Sequence, residues 1–178
     1  MPTLACHCGK VKISLPLAPI WRYECCCVDC RKGISWCTSS KGGPPVRAAA
    51  GVEHPPADLV YFPNALRVAS GEEHLKCFVL QRGFPTKRVV ASCCWTALLG
   101  DHPGYDGLRL VTYPGHASLE LDAGASLRPA DGRIHQSDMS EAQLAALPPP
   151  SPPRPPCPLR PQCACPPRRR RRPARRLR

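Results

Sequence analysis

A chain of 178 residues with 43% hydrophobic side chains is long enough for one domain with a core. No stretch approaches 18 consecutive apolar residues, which excludes a typical membrane-spanning helix. The net charge of +12 is uneven, because ten arginines follow residue 147 without an acid, whereas residues 1–147 carry (25 − 10) − 13 = +2. A strongly basic surface is therefore expected only on the C-terminal tail.

Short runs of alternating apolar and polar residues, ended by prolines and glycines, predict a series of short strands. The alternation is clearest at Val11 and Ile13, which are flanked by lysines and serine. The predicted strands or extended segments are Lys10–Leu15, Trp21–Glu24, Leu59–Phe62, Leu66–Ala69, Leu75–Leu80, Lys87–Ser92, Leu108–Tyr113 and Leu119–Leu121. Cys77 shares a strand face with Leu75 and Val79, which predicts that it is a small core residue.

Little helix is expected. Arg31–Ser35 is predicted to form one helical turn, and Ser140-Glu-Ala-Gln143 fits a capping box at the start of a short helix that ends by Pro148. Residues 39–56 and Leu98–Gly107 are rich in turn formers and are predicted as loops. The first loop is long enough to hide a strand near Val46 or Val52. The sequence therefore predicts a mainly β, antiparallel domain without βαβ alternation.

The chain divides into a predicted folded domain, residues 1–147, and a predicted disordered tail, Pro148–Arg178, which has few apolar side chains to bury. The run Arg168–Arg172 could neutralise several phosphates and give salt-dependent binding to nucleic acid or another acidic partner. Two other interpretations are favoured together over this one: solvated disorder without function, and translation of GC-rich codons out of frame, since Pro, Arg, Ala and Cys dominate the tail.

The 13 cysteines are predicted to serve metal binding or catalysis rather than a disulfide scaffold. Met1–Ala5 offers neither the charged nor the apolar region of a signal peptide, so we expect a cytoplasmic protein with reduced thiols. The odd number also leaves at least one thiol without a disulfide partner in a monomer. Cys37 and Cys77 are expected to be passive, and the tail cysteines lack close metal-ligand spacing.

Cys25, Cys27 and Cys30 form a C-x-C-x-x-C motif, which predicts a reactive metal site. Thiolates this close repel one another unless protons, disulfides or a cation hold them, and thiolate is the ligand that zinc takes most readily. Three protein ligands leave the fourth position of a tetrahedron open for substrate. The alternative is a redox pair or a cluster of bystander thiols.

Cys6 and Cys8 precede Gly9 in a C-x-C-G turn, which can aim both sulfurs at one point. Together with the pair Cys93 and Cys94, they are predicted to form a four-thiolate structural site. Adjacent cysteines on one metal strain the backbone, so one of the pair could be a bystander, and Cys94 is slightly favoured as the ligand. Simple burial of free cysteines is the alternative.

The combination of these motifs, with Arg31-Lys32 after the second and Trp95-Thr96-Ala97-Leu98 after the third, resembles the glutathione-dependent formaldehyde-activating enzyme and centromere protein V family. The resemblance covers about residues 4–115. It implies an antiparallel β-tent fold with two zinc ions. The implied ligands are Cys6, Cys8, Cys94 and Cys93 for a structural zinc, and Cys25, Cys27 and Cys30 for an active-site zinc.

The family's founding activity joins formaldehyde to glutathione, and the family is classed with carbon–sulfur lyases. This chain departs from the common pattern, because Cys26 stands where many relatives have histidine and a Cys-Cys pair replaces C-x-x-C-G. We therefore predict a zinc-dependent carbon–sulfur lyase-like enzyme acting on a small thiol or thiol–aldehyde adduct, with no membrane partner. Its catalytic centre would be Cys25, Cys27 and Cys30, with Arg31 near enough to offset their charge. The alternative is a non-catalytic zinc-stapled binding module that could contact nucleic acid through its tail.

Overall fold

The computed structural model describes residues 1–46 and 54–149. Within these ranges the chain forms eleven short strands and two short α-helices. The strands are β1 Thr3–Ala5, β2 Lys12–Ser14, β3 Trp21–Cys25, β4 Ala57–Pro63, β5 Arg67–Ser70, β6 Leu75–Phe78, β7 Lys87–Ala91, β8 Thr96–Asp101, β9 Arg109–Thr112, β10 Ser118–Glu120 and β11 Gly132–Ile134. The helices are α1 Val28–Ser35 and α2 Glu141–Ala145. A π-helical turn, Trp36–Ser40, continues α1, and 3₁₀ turns cover Glu72–His74, Pro103–Tyr105 and Gln136–Asp138.

The strands form a four-stranded sheet in the order β10-β1-β2-β5 and a seven-stranded sheet in the order β11-β3-β4-β9-β8-β7-β6. Neighbouring strands run antiparallel except β11, which pairs in parallel with β3. The predicted mainly β, antiparallel architecture with little helix is confirmed.

The large sheet is covered on both faces, and β4 shows why. Val60 and Phe62 point into a core shared with Leu4 and Ile13 of the small sheet, while Leu59 lies in a second core with the residues beneath α1. Successive strand residues point to opposite faces, so a strand covered on both sides needs apolar residues at both parities. The three-cysteine motif lies in the second core, on the α1 side of the sheet.

Two sequence predictions about this sheet are wrong. Cys77 is exposed, not a core residue, because β6 is the last strand of the large sheet and its face at Cys77 is left uncovered. The segment Leu98–Gly107 is not all loop, because its first part belongs to β8. Every residue from Thr96 to Gly100 is buried, so β8 lacks the polar–apolar alternation that marks a half-exposed strand.

Other elements follow the predictions more closely. The capping box is confirmed: Ser140 Oγ accepts a hydrogen bond from the Gln143 N–H at 3.2 Å, and Gln143 Oε1 accepts one from the Ser140 N–H at 3.0 Å. The helical turn at Arg31–Ser35 is part of the longer α1. Val46 lies in no strand, and Val52 lies outside the described residues, as do residues 150–178 of the tail. Among the helices described here, none has the length and apolar character to cross a bilayer.

Candidate metal centres

The predicted structural site is assembled from two turns. Cys6 and Cys8 lie in a turn closed by a 2.9 Å hydrogen bond from the Gly9 N–H to the Cys6 carbonyl, with Gly9 at φ +77°. Cys93 and Cys94 lie in the turn between β7 and β8. All four Sγ atoms lie within 4.8 Å of one another. Spacing alone therefore located all four members of this group, and both cysteines of the adjacent pair belong to it.

The sulfur separations suit a tetrahedral ion. The Cys93 Sγ lies 3.8 Å from that of Cys6, 3.4 Å from that of Cys8 and 4.0 Å from that of Cys94. A tetrahedron with Zn–S bonds of about 2.3 Å requires sulfurs about 3.8 Å apart. The donor set and its spacing thus fit a divalent ion that prefers sulfur.

Burial and hydrogen bonds change the pKa values of the thiols in this group in opposite directions. Hydrogen bonds from the Lys10 N–H and with Cys93 lower the pKa of Cys8 to about 7, whereas burial raises the pKa values of Cys6 and Cys93. The Cys6 sulfur also accepts a 3.3 Å hydrogen bond from the Val11 N–H. A dication bound here would have to displace protons from these thiols, because a metal binds the thiolate form of cysteine.

A buried polar chain supports this group from β8. Thr96 Oγ1 accepts a 3.0 Å hydrogen bond from the His7 N–H and lies 3.0 Å from the Cys94 Sγ. The next residue, Ala97, donates its N–H to Nδ1 of buried His116 at 2.7 Å, and Nε2 of that ring lies 3.2 Å from Thr38 Oγ1. Thr38 in turn donates to the Pro44 carbonyl. The His116 ring therefore carries its proton on Nε2 and connects β8 to the turn after α1.

The second group comes from one short segment. Cys25 ends β3, Cys27 is the N-cap of α1 and Cys30 lies in the first turn of that helix, so the strand-to-helix junction turns all three sulfurs together. Their Sγ atoms lie within 4.8 Å of one another, and Cys27 Sγ accepts a 3.3 Å hydrogen bond from the Cys30 N–H. In the described part of the chain, no histidine, carboxylate or further cysteine completes this group.

Cys26 interrupts the motif but lies elsewhere. Its side chain is fully buried and packs in a separate small cluster with Met139, away from the other three cysteines. The alternation of β3 continues through the junction, which explains why Cys25 and Cys27 share a side and Cys26 does not.

The three thiols share negative charge unequally. Hydrogen bonds from Cys25, Cys30 and the Cys30 N–H lower the pKa of Cys27, and its place at a helix N-terminus suits a thiolate. The hydrogen bond to Cys27 raises the pKa of Cys25 to about 12, and the bonds to both neighbours raise that of Cys30. Three sulfurs this close together are a donor set that a soft divalent ion fits.

Aromatic residues form one wall of this centre. The hydroxyl oxygens of Tyr61 and Tyr105 lie 3.4 Å apart, with ring centroids 5.7 Å apart in an edge-on arrangement. Burial raises the pKa of both tyrosines, so both hydroxyls are neutral near neutral pH. Neutral hydroxyls able to donate a proton or a hydrogen bond are therefore held close to the thiols.

A cavity of about 330 Å³ lies on the other side of the junction. Among the described residues, Arg31, Ile34, Ala57, Tyr113 and His116 help to line it, and none of the lining residues is a cysteine. Arg31 is held by its own hydrogen bonds, from Nε to the Cys26 carbonyl at 2.9 Å and from Nη2 to the Asp138 carbonyl at 2.7 Å. The arginine that the sequence placed near the cysteines therefore fixes the backbone around them.

The comparisons with known proteins leave the family open. No protein-family model matches the chain, and no curated protein matches it. A solved structure that matches is the crystal structure of a Rhodobacter sphaeroides protein determined as a structural genomics target. It is 18% identical, covers 75% of this chain and 100% of its own, and has a TM-score of 0.47. A likeness at this level supports no argument about function.

All seven predicted ligands therefore lie in two groups, with no cysteine exchanged between them. Cys37 is buried and Cys77 is exposed, and both stay outside the groups, as predicted for passive residues. Cys157, Cys163 and Cys165 lie in the part of the chain that is not described. The sequence reasoning missed His116, which no spacing rule connects to either cysteine group.

Proposed function

We propose that the protein is a zinc-dependent carbon–sulfur lyase-like enzyme that acts on a small thiol or thiol–aldehyde adduct. The observation that carries the proposal is the contrast between the two groups. One gathers four sulfurs, as a closed structural site requires, and the other gathers three among the described residues, as an open catalytic site requires. The resemblance of the cysteine motifs to the formaldehyde-activating family adds the reaction class.

The roles of the chain's own residues follow from their surroundings. Cys25, Cys27 and Cys30 would hold the ion, and the partial exposure of the last two leaves a side open to substrate. When bound, zinc supplies a Lewis acid that lowers the pKa of an incoming thiol. Tyr61 and Tyr105 pack in the same core as these cysteines, and their neutral hydroxyls would donate a hydrogen bond to the oxygen of a carbonyl or hydroxyl substituent.

The reaction balances without an oxidant or reductant. In the cleavage direction, the carbon–sulfur bond of a hydroxyalkyl thioether breaks, the hydroxyl proton is lost as the aldehyde forms, and the sulfur leaves as thiolate and takes up a proton. The reverse direction forms the same bond by attack of the thiolate on the aldehyde carbon.

Metal analysis of cysteine variants tests the proposal. We expect two zinc ions per wild-type chain under reducing conditions and one in Cys30→Ser, with the fold retained because the four-sulfur group is untouched. Cys77→Ser is the matched control, because that thiol is exposed and outside both groups. The cobalt-substituted protein should change its visible spectrum when a small thiol is added, and Cys30→Ser should not. A wild-type chain that is folded, reduced and free of metal would contradict the proposal.

A second candidate is a zinc-stapled binding module without turnover. Its support is that all three ligands come from one six-residue segment at the β3–α1 junction, where an ion could simply fix the strand to the helix. In that case Cys30→Ser should unfold the segment. The visible spectrum of the cobalt-substituted wild-type protein should not change when a small thiol is added. Contact with nucleic acid through the tail is part of this candidate. Binding measured at rising salt, with and without residues 148–178, tests that part.

A further inference from the structure

Arg88 is a buried cation, and two of its three guanidinium nitrogens have no hydrogen-bond partner among the described residues. It lies on β7 between Phe78 of β6 and Gly100 of β8, and its side chain is 3% exposed. Its Nε and Nη1 atoms are both buried and make no hydrogen bond to any residue in 1–46 or 54–149. An ionised group in such a place is unfavourable unless opposite charge lies nearby.

The guanidinium is directed at α1. A Cβ atom added to Gly33 would lie 2.8 Å from Arg88 Nε and 3.1 Å from Cδ, so glycine is what allows the arginine to approach the helix. Gly33 follows Cys30 by three residues, and residues at that spacing share a helix face. Arg88 therefore meets α1 one turn from the three-cysteine group.

The surrounding electrostatics agree with this position. Burial raises the pKa of Tyr113, a thiolate at Cys30 would raise it further, and the charge of Arg88 lowers it. Tyr113 thus lies within electrostatic reach of both the arginine and the thiol. Arg88 also opposes the rise in pKa that burial causes at Cys37. Neither Tyr113 nor Cys37 is ionised near neutral pH, so neither supplies the negative charge that would balance the Arg88 guanidinium.

We propose that Arg88 is the charge-balancing residue of the Cys25, Cys27 and Cys30 centre. Three thiolates and one divalent ion carry a net charge of −1, which the guanidinium neutralises inside a shared low-dielectric core. The proposal rests on metal binding at this centre, and it does not rest on lyase activity.

The test compares Arg88→Met, which keeps the long apolar stem, and Arg88→Lys, which keeps the charge. Zinc affinity of each centre is measured by competition with a chromophoric chelator. Arg88→Met should weaken binding at the three-cysteine centre by about tenfold or more, Arg88→Lys should restore most of it, and the four-cysteine group should be unchanged as an internal control. Arg67→Met, on an exposed arginine of β5, is the matched control and should change neither site.

Thermal unfolding separates charge balance from packing. Arg88→Met should unfold no earlier than wild type when both are metal-free, and earlier when both are loaded. If Arg88→Met lowers the unfolding temperature equally in the metal-free and the zinc-loaded protein and leaves the zinc affinity unchanged, the proposal is overturned in favour of a packing role. If Arg88→Met does not fold, the affinity of Arg88→Gln takes its place. Wild-type protein that binds zinc only at the four-cysteine group would overturn this proposal and the proposed function together, whereas unchanged affinity in the variants overturns this one alone.

Discussion

Protonation of His116 is expected to destabilise the protein in mild acid. The ring is 5% exposed, accepts a hydrogen bond from the Ala97 N–H on Nδ1 and contacts Thr38 through Nε2, so a second proton must break the 2.7 Å bond to Ala97. Burial lowers the pKa of His116 from 6.5 to about 4. Between these values the unfolded chain binds the proton and the folded chain does not.

The sign and size of the effect follow from that difference. The contribution of neutral His116 to the free energy of unfolding is fully present above about pH 6.5 and is lost as the pH falls toward 4. A pKa that is lower by one corresponds to about 1.36 kcal/mol, so the fall from 6.5 to about 4 amounts to roughly 3 kcal/mol of folding free energy over this range. That is a large part of the stability of a typical domain.

Urea unfolding between pH 4.5 and 7.5 in the presence of a chelator measures this loss without interference from metal release. His116→Asn keeps an acceptor for the Ala97 N–H but cannot take up the proton. It should therefore be less stable than wild type at pH 7.5 and should lose less stability on acidification. Parallel pH profiles for the two proteins would show that His116 is not responsible and would refute the reasoning.

Three further predictions concern the fold and its ions. Gly71→Ala should cost more than about 2 kcal/mol in urea unfolding, since Gly71 has φ +76° and its added Cβ would lie 2.5 Å from a backbone oxygen; Gly83→Ala, at φ +86° with open space, should cost only about 1 kcal/mol. Thr96→Val should cost about 1–3 kcal/mol, because it leaves the His7 N–H without its acceptor, and Thr96→Ser should cost less. Chelation at neutral pH should lower the thermal midpoint of zinc-loaded protein, because the binding free energy of zinc is folding free energy.

Each of these has a clear contrary result. If the two glycine variants lose equal free energy of unfolding, a small shift of the backbone relieves the close approach at Gly71. A Thr96→Ser variant as unstable as Thr96→Val would point to the methyl group rather than the hydroxyl. A thermal midpoint unaffected by a strong chelator, with zinc shown to be removed, would mean that the ions do not stabilise the fold.

The two cysteine groups could be predicted because close spacing along the chain brings thiols together. C-x-C-G and C-x-C-x-x-C each place sulfurs on one side of a turn whatever surrounds them, and the adjacent pair at Cys93 and Cys94 was the one remaining set of close thiols in the folded part. Their assignment to two groups was correct because the second motif already holds three sulfurs, which leaves the other two pairs to meet each other.

What could not be predicted depended on which faces of the sheet are covered. Cys77 alternates with apolar neighbours like a core residue, but an edge position leaves it exposed. β8 has no alternation because both of its faces are buried. Arg88 looked like an ordinary polar residue of a strand, since nothing local indicates that Gly33 makes room for it.

The parallel pairing of β11 with β3 has a consequence for how the protein matures. Ile134 pairs with Cys25, and its carbonyl accepts a 2.9 Å hydrogen bond from the Cys26 N–H. The backbone of the three-cysteine segment is therefore hydrogen-bonded to residues more than a hundred positions downstream. During synthesis these cysteines leave the ribosome long before β11 is available to pair with β3. The surroundings of the three-cysteine group are therefore completed late, when nearly the whole folded domain has been made, and a chain that ends before Gly132 would leave β3 as an unpaired edge strand beside its thiols.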